Sequence, residues 1–199
     1  MIQPGDSLGA DDRWEELDGR PAWVFALALY GMPEAGSNFL VLQDLCAVDV
    51  TFLIFALYLR QRRGTTPGRP LLQALKEAVA DWRTRVVAPI RRVRHDLKGM
   101  EERGDHPLVG NLRQTIKAAE LRAEQLELDM LDRWTMHNAG GFLFSAPEYD
   151  KNGIETLIAD VIEVHRQTSV PQPEPEPVRI AIAAIASAYF GLVLPSRPA

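Results

Sequence analysis

The sequence predicts an all-α fold, and two observations carry that prediction. Apolar residues recur at three- and four-residue spacing through most of the 199-residue chain. Strand signals are nearly absent: no Asn-Gly or Asp-Gly pair separates alternating runs, and Asn152-Gly153 stands before a helical pattern instead. The expected architecture is a bundle of about six helices, followed by a Pro-rich tether and an apolar C-terminal helical segment. Its expected divisions are a flexible leader over 1–19, a helical bundle domain over 20–168, a Pro/Glu-rich linker over 169–178 and an apolar tail helix over 179–195.

The elements follow in order. The polar leader contains a short turn near Trp14. Pro21 stands at a helix start, and "PAWVFALALYG" is apolar around most of its circumference, which predicts burial. Gly31 ends that helix, and Pro33 is expected to open "PEAGSNFLVLQDL". Asp49 is a good N-cap for an apolar third helix from about Val50 to Arg62, where Arg60, Arg62 and Arg63 suit the C-terminal dipole. "GTTPGRP" reads as a loop.

A long fourth helix is expected from Pro70, with Leu72, Leu75, Val79, Trp82, Val86, Ile90, Val93 and Leu97 down one face and a kink at Pro89. After "GMEERGDHP" a fifth helix runs from Leu108 or Asn111 to His137, with Asn111 and Gln114 read as a capping box. Its stripe of Leu112, Ile116, Ala119, Ala123, Leu126 and Met130 stands nearly opposite Leu121 and Leu128, so contacts on two sides are expected. Ser145 and Glu148 read as a capping box for a sixth helix that carries Ile154, Leu157, Ile158, Val161 and His165 on one face. "SVPQPEPEPV" then reads as an extended tether.

Composition narrows the function. A net charge of -5 gives no sign of general affinity for nucleic acid or acidic membranes. One cysteine, Cys46, allows no intramolecular disulfide, and the polar, acidic start is unlike a signal peptide; a cytoplasmic protein is expected. Among apolar neighbours, Cys46 is expected to be buried and inert. "IAIAAIASAYFGLVL" is an apolar patch of 15 residues, short of a membrane span, so an integral membrane protein is not expected. The acids before it and the few basic residues around it also argue against lying on a membrane surface.

Two stretches carry a family resemblance. "WVFALALYGMPEAGSNFLVLQDLCAVDVTFLIFALYL" resembles the signature W-x-F-x-x-x-x-Y, then L-Q-D, then G-V-D-V-N-L-L-L-F of a bacterial family of small helical proteins known as a domain of unknown function. The matches are Trp23, Phe25, Tyr30, Leu42, Gln43, Asp44, Val48, Asp49, Val50, Leu53 and Phe55. "WRTRVVAPIRRVRHDLK" resembles the second block, W-R-x-x-V-V-x-P-L-R-x-x-R-x-x-L-K, through Trp82, Arg83, Val86, Val87, Pro89, Arg91, Arg94, Leu97 and Lys98. The chain departs at Ala47, where the pattern has Gly, and at Thr51, where it has Asn. The resemblance covers about residues 20–135 and implies an all-helical fold; it implies no activity and no catalytic residue.

No nucleotide-binding loop, nucleophile elbow, H-E-x-x-H or di-iron Glu-x-x-His is present. His95, His106, His137 and His165 are scattered, and "DDRWE" is a single acidic cluster in the leader. No catalytic residue, metal site or cofactor is assigned. The polar residues that need an explanation are Gln43, Asp44, Asp49, Arg91 and Arg94. Asp49 has one as an N-cap. Asp44 sits at the wrong end of a helix dipole and is expected to pair with an Arg of the Trp82–Lys98 block. The basic residues there, Arg83, Arg85, Arg91, Arg92, Arg94, His95 and Lys98, are expected to pair with Glu120, Glu124, Glu127, Asp129 and Asp132 or to face water. The alternative is an anionic partner such as a phosphorylated ligand, an acidic protein face or RNA.

Two functions fit. The leading one is a non-enzymatic helical scaffold or adaptor that binds a protein partner or itself, through the long fifth helix or the tail residues Ile180, Ile185, Tyr189 and Phe190. The alternative is a ligand-binding or enzymatic bundle whose Gln43, Asp44, Asp49, Arg91 and Arg94 hold an anionic or metal-bound ligand. The tail is expected to fold onto its own bundle, to dock on another chain or to lie on a membrane.

Overall fold

The structure is a computed structural model that describes residues 12–142, 144–145, 151–166 and 175–193. It is all-α. The helices are α1 (Asp12–Asp18), α2 (Pro21–Tyr30), α3 (Ala35–Cys46), α4 (Val50–Arg63), α5 (Arg69–Trp82), α6 (Ala88–Arg103), α7 (Val109–Asn138), α8 (Lys151–His165) and α9 (Pro175–Val193). Thr66–Pro67 and Phe144–Ser145 form a two-residue antiparallel bridge.

Helix α4 is the axis of the fold. Every residue from Thr51 to Arg60 is buried, because α2, α3, α7 and α8 surround it. Its Phe52, Leu53, Phe55, Leu57 and Leu59 meet Leu29, Phe39, Leu42, Leu75, Leu131 and Ile158 in one core. Asp49 caps α4 as expected: its Oδ1 accepts from the Phe52 N–H at 3.3 Å. Gly64, at φ +67°, supplies the left-handed residue that ends the helix.

Helix α9 lies against α3 and α8 and buries Ala181, Ile185, Ala186, Ala188 and Tyr189 in the same core. It is 19 residues long, and by length and composition it is apolar enough to cross a membrane, a longer element than the 15-residue patch suggested. It starts at Pro175, inside the stretch read as an extended tether. Proline at the first helical position explains the start, since its missing N–H has no intrahelical partner there. The capping box at Ser145 and Glu148 lies outside the described side chains.

Three local expectations need correction. Residues 12–18, read as part of a loose leader, form α1 and dock on α7: Asp18 pairs with Arg122 at 2.5 Å, and the Arg122 guanidinium lies 4.9 Å from the centre of the Trp14 ring. Helix α3 starts at Ala35, because Pro33 sits in a turn closed by Glu34 at φ 62°. Helix α7 starts at Val109 without an Asn111–Gln114 box; its entry is fixed by His106 Nδ1, which accepts from the Leu108 N–H at 3.1 Å.

The expected kink near Pro89 takes the form of a π segment, Arg83–Val87, between α5 and α6. Pro89 has no N–H for the Arg85 carbonyl, and its ring crowds the preceding turn. The chain widens there, so that the Ala88 N–H reaches the Arg83 carbonyl five residues back.

Beyond this segment, α6 and the first third of α7 form a two-helix arm. Between Leu97 and Glu120 no residue is buried, and Leu97 is the only buried residue of α6. The pair is tied by Arg113–Glu101, Arg94–Glu120 and Arg91–Glu120 ion pairs.

Candidate functional site

The arm meets the body at a lattice of charge in which Asp49, Glu120 and Glu127 are buried and the guanidiniums are partly buried. Its origin is local. The π segment places Arg83 against the start of α4, where it pairs with the capping carboxylate Asp49. On α7, Glu120, Glu124 and Glu127 recur at four- and three-residue spacing and face the same junction. Arg91 Nε donates to Glu120 at 3.0 Å, and its Nη2 donates to Glu124 at 2.7 Å. Its Nη1 reaches Gln43 Oε1 on α3 at 3.4 Å. Arg94 completes the set on Glu120. Beside it, Trp82 Nε1 donates to the Ala123 carbonyl at 3.0 Å.

Acids outnumber guanidiniums here: Asp49, Glu120, Glu124 and Glu127 face Arg83, Arg91 and Arg94. The excess falls on Glu127. It is fully buried, neither carboxylate oxygen has a hydrogen bond, and the nearest cation is Arg83 Nη1 at 3.6 Å. Burial pushes its pKa up to about 7, against the pull of Arg83 and with a further push from Glu124. Burial also raises Glu124, despite Arg91. For Glu120 burial works upward too, but the hydrogen bonds from Arg94 and Arg91 outweigh it and hold its pKa below the ordinary value. Burial lowers the pKa of Arg83, opposed by Glu127.

His165 closes the junction from α8. Its ring stands edge-on to Phe52, with centres 4.9 Å apart. Burial drives its pKa down to about 4, opposed by its hydrogen bond to the Val161 carbonyl. The imidazole is therefore neutral at pH 7. Its Nδ1, 2.9 Å from that carbonyl, carries the proton, and Nε2 is left buried without a partner.

The five residues singled out from sequence divide. Gln43, Asp49, Arg91 and Arg94 converge on the lattice. Asp44 does not: it is exposed and has no ion pair among the described residues, which corrects the expectation that it braces the Trp82–Lys98 block. The helix explains why. Leu42 points into the core, Gln43 turns about 100° onto the flank beside α6, and Asp44 turns about 200°, out to water. Asp49 and Gln43 make the brace instead.

Ion pairing of Arg83 and Glu127 was expected from the sequence; the complete burial of Glu127 was not, and Arg83 keeps part of its side chain in water. The signal was present for Glu127, which continues a row from Ala123 to Leu131, both buried. His165 gave no signal beyond its place in the apolar row of α8.

The chemistry open to this site is limited. Each guanidinium is directed at a carboxylate of the same chain, and no group of three or more His, Cys, Asp or Glu residues able to hold a metal is found among the described residues. Cys46 is half-buried, and burial raises its thiol pKa, which suppresses the thiolate. The arrangement joins α3, α4, the π segment, α6 and α7 into one unit.

Sequence comparison places the family resemblance on the same ground. A family model described as "Protein of unknown function (DUF2390)" matches residues 21–131, which contain α2 through most of α7 and the whole lattice except His165. No curated protein and no solved structure matches the chain. A match over more than half of the chain, centred on the helices that build the brace, makes this protein a member of the DUF2390 family.

Proposed function

We propose that the protein is a non-enzymatic helical adaptor that docks a protein partner through the α6–α7 arm. One observation carries the proposal: the arm exposes Val93, Met100, Leu108 and Leu112, at 46%, 39%, 62% and 51% of their surface, along a hairpin that buries only Leu97 in α6. Large side chains held in water on a projecting arm mark a contact surface. The lattice at its root has the complementary task of holding the arm at a fixed angle to the body. The tail residues Ile185 and Tyr189 are buried against their own chain, so the arm is favoured over the tail as the docking element. The saturation of Arg91 and Arg94 by Glu120, Glu124 and Gln43 supports this reading over an anion pocket. The single cysteine allows no intramolecular disulfide, which fits a reducing compartment, and we place the adaptor in the cytoplasm.

The test is affinity capture with the full chain and with Leu108→Glu/Leu112→Glu, combined with solution mass. The variant is expected to keep its thermal midpoint within a few degrees, because both residues are exposed. It is expected to lose its bound species. Identical captured proteins and identical mass in the two would overturn the proposal.

A further inference from the structure

The two faces of the arm differ in a way that specifies its occupant. At 100° per residue, Arg94 and Glu101 lie to one side of the inward Leu97, and Arg113 and Glu120 lie to the same side of Ile116 on α7. In an antiparallel hairpin the same rotational sense falls on the same face, and the observed Arg94–Glu120 and Arg113–Glu101 pairs confirm it. The opposite rotation carries Val93 and Met100 on α6 and Leu108, Leu112 and Ala119 on α7. One face of the arm is therefore zipped by ion pairs, and the other is an open apolar strip. The four large side chains expose roughly 350 Å² of apolar surface, within the range of functional patches.

We infer that the occupant of this strip is the same strip of a second copy of this chain, so that two arms close into a four-helix bundle. The inference rests on the adaptor reading and deepens it by naming the partner. Charge complementarity supports it. The outer edge of the strip on α6 carries Arg92, Asp96 and Arg103, alternating in sign, while the α7 edge carries the neutral Asn111 and Thr115. Arg92 and Asp96 have no ion pair among the described residues, and Arg103 holds only the exposed Asp105. A two-fold axis near Met100 runs α6 antiparallel across α6 of the second copy. It then brings Arg103 of each copy to Asp96 of the other, so the symmetry makes the contact twice.

Spacing supports it as well. Val93 and Met100 are seven residues apart and Leu108 and Leu112 four apart, the repeat of knobs-into-holes packing. A hairpin with one buried apolar residue in α6 has little core of its own, and face-to-face pairing supplies one. Two strips remove roughly 700 Å² of apolar surface from water; with their polar edges the interface reaches about 1,000 Å², at the lower end for specific association.

Sedimentation velocity of the full chain decides the matter. The 22.2 kDa monomer is expected to double in mass as concentration rises to about 100 µM. Leu112→Glu is expected to remain monomeric. Asp96→Arg, exposed and remote from the core, is expected to weaken the dimer about tenfold by facing Arg103 of the second copy. Asp96→Arg combined with Arg103→Asp is expected to recover it. A wild-type chain that stays monomeric at about 100 µM, or an Asp96→Arg loss that the second change does not restore, overturns the inference. If the wild type is monomeric yet Leu108→Glu/Leu112→Glu releases a different captured protein, the adaptor reading stands and the second copy falls. If neither mass nor capture responds, both fall.

Discussion

The body around α4 and the arm formed by α6 and α7 use opposite means to hold helices together. In the body, ten consecutive residues of α4 are buried, and apolar side chains fill the contacts. In the arm, Leu97 is the only buried residue of α6, and the contacts are guanidinium–carboxylate pairs. Apolar burial is non-directional and contributes in proportion to area, so it suits a core that must be stable. The more exposed Arg113–Glu101 pair contributes about 0–1 kcal/mol. In the partly buried Arg91–Glu120 and Arg94–Glu120 pairs desolvation opposes the attraction. All of them fix direction and leave the apolar side chains free for another surface. The difference teaches that the body is built to fold and the arm is built to be placed.

The comparison breaks most visibly in the body. Phe55→Ala removes a fully buried ring from the centre of α4. It is expected to cost about 3–5 kcal/mol in denaturant unfolding, because the surrounding helices cannot collapse into the space. Native-state hydrogen exchange should separate the regions in the wild type. The α4 amides should exchange only through global unfolding, and those of residues 100–119 through local opening at much lower free energy. Equal protection in both would show that the arm has a core its side chains do not reveal.

The junction between the regions should respond to pH. The pKa of Glu127 is raised to about 7, so the folded state binds its proton more tightly than the unfolded state. That contribution is present at low pH and is lost as pH rises from about 4.5 to 7. The pKa of His165 is lowered to about 4, so the unfolded state binds that proton more tightly, and stability is lost as pH falls from about 6.5 to 4. Over the shared window the two slopes oppose each other, each worth up to roughly 3 kcal/mol. Glu127→Gln removes one slope and exposes the other. The variant is expected to lose stability between pH 6.5 and 4.5 by about 2–3 kcal/mol more than wild type in paired denaturant melts. Parallel stability profiles for wild type and variant would place Glu127 in contact with water.

The body was largely legible in the sequence, the junction only in part. The helices of residues 21–63 follow from apolar rows, Pro21 and Asp49, whose effects are local, apart from the start of α3, which lies two residues beyond the expected Pro33. Ion pairing between the basic helix and Glu120, Glu124 and Glu127 was legible from charge alone. Burial of Glu120 and Glu127 was not, because it depends on which helices cover them. Asp44 and Gln43 show the limit. The two are adjacent in sequence, yet a turn of 100° puts one on Arg91 and the other in water. The π segment was read as a simple kink because Pro89 predicts disruption without specifying that Arg83 is carried inward.

The smallest expected effect sharpens the comparison at the hinge where α3 ends and the cap of α4 begins. Ala47 adopts φ 53° and ψ 28°, a left-handed conformation that costs a residue with a Cβ about 1–2 kcal/mol. It stands where the resemblance set out above expects Gly. Ala47→Gly relieves the strain, and the greater freedom of glycine in the unfolded chain offsets part of the gain. The expected net effect is a stabilisation of about 0.5–1 kcal/mol, read as a rise of a few degrees in thermal midpoint. Because the strain lies in the body, residues 100–119 should keep the same local exchange rates while the global value rises. A destabilised Ala47→Gly would mean that the alanine methyl packs well enough to outweigh its backbone cost. The left-handed turn would then be held from outside, by the Asp49–Arg83 pair two residues further on.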